Sequence, residues 1–152
     1  MLKPGTPAPA FTLPDENGDD VSLADLVSAG PLILYFYPAD FTPGCTKEAC
    51  DIRDLHGKLS GTGLQVIGVS PQDGDSHRRF REQHGLPFKL LSDQEKSVAR
   101  MYDADGPLGI GVRRVTYLID EDGTISDAVQ ADLRIGRHRE FIEKAIAAKS
   151  AG

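Results

Sequence analysis

The sequence predicts an α/β protein: a central mixed β-sheet flanked by helices, with a β-hairpin at the N-terminus. Three observations carry this expectation. Short apolar runs alternate with stretches of helical periodicity between residues 32 and 102, and that alternation implies parallel strands joined by helical crossovers. Two more apolar runs follow across the turn Glu121-Asp122-Gly123, which adds an antiparallel pair. A polar turn near the start separates Phe11-Thr12-Leu13 from Val21-Ser22-Leu23, the signature of a small hairpin. At 152 residues the chain is expected to form one domain, residues 1–152, with room for a proper core.

Taken in order, the hairpin turns at Asn17-Gly18, and Leu23 to Val27 suits a helical turn before Gly30-Pro31. Leu32 to Tyr37 is an apolar run that reads as a buried strand, and Pro38 stops it because proline cannot donate to a ladder. A helix is expected from Thr42 or Pro43 to about Leu59, with Ala49, Ile52, Leu55 and Leu59 on one stripe. Leu64 to Ser70 reads as a second buried strand, Ser76 to His84 as a polar helix with Phe80 inward, and Phe88 to Leu91 as a short strand. Ser92 and Glu95 stand at capping-box spacing, which predicts a helix from Asp93 to about Tyr102. A glycine-rich loop covers Asp103 to Gly111. Strands at Val115–Ile119 and Thr124–Val129 and a helix from about Arg137 to Lys149 complete the chain, the helix burying Phe141, Ile142, Ala145 and Ile146.

The stretch between the first core strand and the first long helix carries the chemistry. Thr42 suits an N-cap and Pro43 the first helical position, so Cys45 falls in the first turn. Unpaired N–H groups and the positive end of the dipole lie there, and both favour a thiolate. The gain is limited. A free thiol is roughly a tenth or less ionised near neutral pH, so full ionisation adds only about tenfold in rate. A fast cysteine enzyme therefore needs further groups acting on the transition state, and Thr42 and a cation from elsewhere are the candidates.

Pro38-Ala39-Asp40-Phe41-Thr42-Pro43-Gly44-Cys45 resembles the motif of the peroxiredoxin family, and Cys50, five residues on, is similar to the bacterioferritin comigratory (Q-type) branch. The likeness also covers Pro7 to Leu13, Val66 to Pro71, Gly85 to Phe88 and Arg114 to Asp120. It implies a thioredoxin-like fold and a thiol peroxidase that reduces hydrogen peroxide and organic hydroperoxides. Cys45 would be the nucleophile, oxidised to a sulfenic acid, and Cys50 the resolving thiol. Thr42 would hydrogen-bond the peroxide. Arg114, six residues before Asp120, would hold the thiolate and bind the peroxide, with Arg113 as the fallback. Pro38 would shield Cys45 from water. The resemblance further implies a peroxide substrate, recycling by thioredoxin or a similar dithiol protein, and a monomer.

Each residue also has a plainer reading: a buried apolar cysteine at 45, a packing residue at 50, an N-cap at 42, a surface charge at 114, a strand terminator at 38. If Cys45 and Cys50 pair, an intact helix sets their α-carbons about 8.7 Å apart, beyond the roughly 7 Å that a disulfide tolerates. The helix start would then have to unwind. A general thiol–disulfide oxidoreductase is the first rival, although such enzymes use CxxC spacing. A one-cysteine peroxidase with a structural Cys50 is the nearest variant, and a binding protein on the same fold is the third.

Composition narrows the remaining classes. A net charge of −6 argues against nucleic-acid binding, and Arg78, Arg79 and Arg81 read as a solvated helix face. No apolar stretch reaches a membrane span, and Met1 to Gly5 lacks a signal-peptide core, so a cytoplasmic, reducing location is the default. Two cysteines there suit redox chemistry better than a structural staple. His56, His77, His84 and His138 show no ligand spacing, and Gly106 to Gly111 does not open a helix after a strand. No metal or cofactor is expected.

Overall fold

A computed structural model describes residues 1–151. The N-terminal hairpin pairs β1 (Thr12–Pro14) with β2 (Asp20–Ser22), and helix α1 (Leu23–Ala29) follows at once. The chain then runs through β3 (Leu32–Phe36), α2 (Pro43–Asp54), α3 (His56–Leu59), β4 (Gln65–Ser70), α4 (Gly74–His84), β5 (Lys89–Ser92) and α5 (Ser97–Met101). It ends with β6 (Val115–Ile119), β7 (Ile125–Gln130) and α6 (Gly136–Ala151). The main sheet has five strands in the order β5-β4-β3-β6-β7. β3, β4 and β5 run parallel, while β6 and β7 are antiparallel to their neighbours. This is the expected mixed sheet.

Every residue of β3 is buried, because helices cover both faces of the sheet. Period two divides the strand between two cores. Leu32, Leu34 and Phe36 face Val98, Ala99 and Tyr102 around α5, together with Leu23 and the hairpin. Ile33 and Tyr35, with Tyr37 just beyond, face Cys45, Ala49, Ile52 and Leu55 of the α2 stripe, Phe80 of α4, and Phe141, Ile142, Ala145 and Ile146 of α6.

Outside the site, the structure departs from the sequence expectations at four places. The helix predicted to run to Leu59 breaks at Leu55, whose N–H bonds the Ile52 carbonyl three residues back, so α3 is a separate turn. The apolar stripe stays buried across the break. The capping box is overturned: Ser92 is the last residue of β5, paired with Ser70. Asp93 takes over the start of the next helix, its carboxylate accepting from Val98 N at 3.3 Å and Ala99 N at 2.8 Å. Parallel pairing lengthens the strand, and α5 accordingly begins only at Ser97, after Lys96 in a left-handed conformation (φ 59°). Arg81 is not simply solvated, since it donates to the Leu86 carbonyl and ion-pairs with the buried Glu16.

The sheet brings three connections to one end. Phe36, the last residue of β3, is level with Val69 and with Val115, the first residue of β6, and Val115 is level with Gln130 at the end of β7. The loop 37–42, Arg114 and the loop 131–135 therefore meet beside the start of α2.

Candidate active site

Cys45 lies in the first turn of α2, behind Pro43 at the helix start, and is buried. The first hydrogen bond of the ladder runs from Thr46 N to Thr42 O at 2.9 Å, so the N–H of Cys45 precedes the ladder. Arg114 stands just before β6, the strand beside β3. Its main chain is fixed by the loop after β7: Arg114 N donates to Asp132 Oδ1 at 2.9 Å, and Ala131 N donates to Arg114 O at 3.1 Å. Its guanidinium Nη1 stands 3.0 Å from Cys45 Sγ. Arg113 points elsewhere, 4.0 Å from Asp132 Oδ2. Gly44 permits the approach of Arg114. A Cβ there would lie 2.7 Å from Arg114 Nη2 and 2.9 Å from Ile135 Cδ1.

Thr42 occupies the N-cap position with extended backbone, but its side chain makes no cap bond. The hydroxyl donates instead to the Ala39 carbonyl at 3.0 Å, which corrects the expectation that it would cap. A hydroxyl that spends its one proton on a carbonyl presents lone pairs to its other neighbours. Pro38 is half-buried immediately after the strand region. Cys50 is half-buried on the same helix, and neither cysteine is in a disulfide. Because α2 is continuous over Pro43–Asp54, the helical separation of the two thiols applies.

The sequence reading missed the ground behind Arg114. Glu48 is 1% exposed, and neither of its carboxyl oxygens has a hydrogen-bond partner among the described residues. Oε1 lies 3.6 Å from Arg114 Nη1 and Oε2 lies 3.4 Å from His138 Nδ1. Burial pushes its pKa up to about 8, against the pull of Arg114. Burial also pushes the His138 pKa down. The ring donates Nε2–H to the Ala131 carbonyl at 2.9 Å and has Nδ1 2.7 Å from Thr116 Oγ1. A neutral His138 accepting from Thr116 beside a protonated Glu48 fits both shifts, so this close approach is not an ion pair. Arg114 thus faces two acidic groups, Cys45 and Glu48, and at neutral pH its charge is left to the thiol. Glu48 is one turn beyond Cys45 on the same helix face, a relation open to view in the sequence. His138 comes from α6 and gave no such signal.

The AhpC/TSA family profile matches residues 4–128. The chain belongs to the AhpC/TSA family. Its relatives carry peroxiredoxin names. A Coxiella burnetii protein named as the peroxiredoxin bcp is 43% identical over 143 residues, covering 90% of this chain and 93% of that protein. A chloroplastic peroxiredoxin Q of Gentiana triflora is 38% identical over 146 residues, covering 93% of this chain and 67% of that protein. The crystal structure of peroxidoxin BcpB from Mycobacterium tuberculosis superposes with a TM-score of 0.89 at 35% identity, covering 99% of this chain and 98% of that one. The fold is the thioredoxin-like fold of peroxiredoxins, and the family's peroxiredoxins are thiol peroxidases. Among the described residues, no group of three or more His, Cys, Asp or Glu side chains could hold a metal ion, and no helix is long and apolar enough to cross a membrane.

Proposed function

We propose that residues 1–152 form one domain that reduces hydrogen peroxide and organic hydroperoxides in a reducing compartment, with Cys45 as the nucleophile. The observation that carries this is the Arg114 guanidinium 3.0 Å from Cys45 Sγ at a helix start. The thiolate attacks the terminal peroxide oxygen. The S–O bond forms as the O–O bond breaks, and the departing oxygen takes a proton to leave as water or alcohol. Cys45 becomes a sulfenic acid. Thr42 accepts the peroxide's own O–H through its lone pairs, and Arg114 stabilises charge on the departing oxygen through its further N–H groups. Pro38 limits access of water to the thiol.

Cys50 then attacks the Cys45 sulfur, forming the disulfide and releasing water, after the first turns of α2 unwind. A dithiol protein of the thioredoxin type reduces the bond, and the acting species is the monomer. The test is peroxide consumption with thioredoxin, thioredoxin reductase and NADPH. The wild type should turn over continuously. Cys50→Ser should complete one stoichiometric oxidation, stop, and accumulate Cys45 sulfenic and then sulfinic acid by mass spectrometry. Undiminished turnover in Cys50→Ser would eliminate the two-cysteine cycle.

Gly44 provides a further check on Arg114. In Gly44→Ala the flexible guanidinium yields to the new methyl group, so the fold is spared while the charge moves away from Cys45. The rate constant for peroxide should fall about tenfold, in line with the cost of a misplaced catalytic group, at an unchanged melting temperature. A wild-type rate would mean that Arg114 need not sit where Gly44 lets it.

A further inference from the structure

The loop that delivers Thr42 and Cys45 is anchored from outside the active site. Asp40 is buried two residues before Thr42. Its Oδ1 accepts from the Tyr37 hydroxyl at 2.7 Å, while Oδ2 accepts from Ser76 Oγ at 2.8 Å and lies 2.7 Å from His77 Nδ1. His77 has no exposed surface, and its Nε2 is 3.1 Å from the Leu91 carbonyl. A carbonyl only accepts, so Nε2 carries a proton, and Nδ1 faces the Asp40 carboxylate at hydrogen-bond distance. Tyr37 ends the strand region, Ser76 and His77 belong to α4, and Leu91 belongs to β5. The carboxylate therefore ties the loop directly to α4 and, through His77, to β5, while the Tyr37 hydroxyl closes a bond within the loop.

The next residue adds strain to this anchor. Phe41 has φ 64°, a left-handed conformation that is an outlier for a bulky side chain. Its ring packs edge-on against Phe80 of α4, with centroids 5.2 Å apart. A strained turn persists where its surroundings over-determine it, and here α4 holds it on both sides, by Ser76 and His77 at Asp40 and by Phe80 at Phe41.

None of these side chains is placed in the chemistry above, yet they fix where α2 begins. The anchor also stops at the residues just before the turns that must unwind for Cys45 to reach Cys50. We infer that Asp40 and His77 are positioning residues that set the balance between the wound helix start, which reacts with peroxide, and the unwound one, in which the disulfide forms. This rests on the roles proposed above for Cys45 and Cys50. Weakening the anchor moves the two chemical steps in opposite directions. Thr42 and Cys45 lose their setting, which slows oxidation, and the unwound form gains population, which speeds resolution.

The chain contains no tryptophan, so rapid-quench mass spectrometry is the suitable readout, counting thiol, sulfenic acid and disulfide after a single peroxide pulse. Asp40→Asn keeps the side-chain size and sets an amide against the His77 and Ser76 donors. It should slow sulfenic acid formation about tenfold, the effect of losing about one well-made hydrogen bond, and should speed conversion to the disulfide several-fold. Ser76→Ala, which removes one donor from a half-buried position, should shift both rates the same ways by less, and it keeps the test open if Asp40→Asn does not fold. A lowered melting temperature with both rates unchanged, or with both slowed together, would show a merely structural role and overturn the inference. A wild type that forms neither sulfenic acid nor disulfide would instead remove the roles of Cys45 and Cys50, a failure distinct from that of the anchor.

Discussion

Arg114→Ala is expected to lower the rate constant for peroxide reduction by about 10²–10³, the usual cost of deleting one donor aimed at developing transition-state charge. Cys45→Ser, with no reaction, sets the floor of the same measurement. Ionising the thiol fully is worth only about tenfold near neutral pH, so a loss confined to the thiol's charge state would stop near that value. A larger loss requires that the guanidinium also acts on the breaking O–O bond, which its single contact with Cys45 Sγ leaves it free to do.

Stability should change little, for a reason specific to this site. Deleting one partner of a buried ion pair normally strands a charge and costs several kcal/mol. Here Glu48 is protonated at neutral pH, and a buried thiolate left without its cation takes up a proton, so no buried anion is orphaned. Single-turnover kinetics and thermal melts at about pH 7.5, where a free thiol is roughly a tenth ionised, separate the two effects on the same samples. A fall of less than about tenfold would confine Arg114 to the thiol's charge state. A collapse in melting temperature would mean that Glu48 is ionised in the resting protein.

What was legible in the sequence follows the reach of each signal. The apolar run Leu32 to Tyr37 and the stripe Ala49, Ile52, Leu55 and Leu59 are local patterns created by burial, and the strands and helices they predicted appear in the expected order. Thr42, Cys45 and Cys50 lie on one continuous stretch, so their relation could be read directly. The errors arise where a nearby group outcompeted the local rule. Asp93, one residue past Ser92, took the helix start because the strand claimed Ser92. Thr42 fits the N-cap by type, yet its hydroxyl found the Ala39 carbonyl.

The buried polar groups were the least legible. His77 and His138 appeared scattered because their partners are distant in sequence: Asp40 is 37 residues from His77, and Thr116 is 22 residues from His138. Only the sheet topology brings these residues together. Glu48 was passed over for another reason, since glutamate is among the residues least often fully buried.

Glu48→Gln tests that exception, and its effect is expected in stability before activity. The folded protein holds the Glu48 proton up to about pH 8, whereas the unfolded chain releases it near 4.5. Between these values the folded state binds more protons than the unfolded one, so wild-type stability falls as pH rises through the window. The slope is about 1.4 kcal/mol per pH unit where the difference is a full proton, and the whole window sets an upper bound of about 4–5 kcal/mol. Below pH 4.5 and above pH 8 this contribution is flat. A glutamine amide has no proton to lose in this range, so the variant should lack the decline. Its stability relative to the wild type should rise from about pH 5 to pH 8, as chemical denaturation at fixed temperature would read. The same substitution separates the roles of Arg114. Above pH 8 an ionised Glu48 competes with Cys45 for the guanidinium, so the wild type should lose peroxide reactivity there while Glu48→Gln retains it. Parallel stability curves for the two proteins would mean that Glu48 is ionised throughout, and that Arg114 divides its charge between Glu48 and Cys45 at every pH.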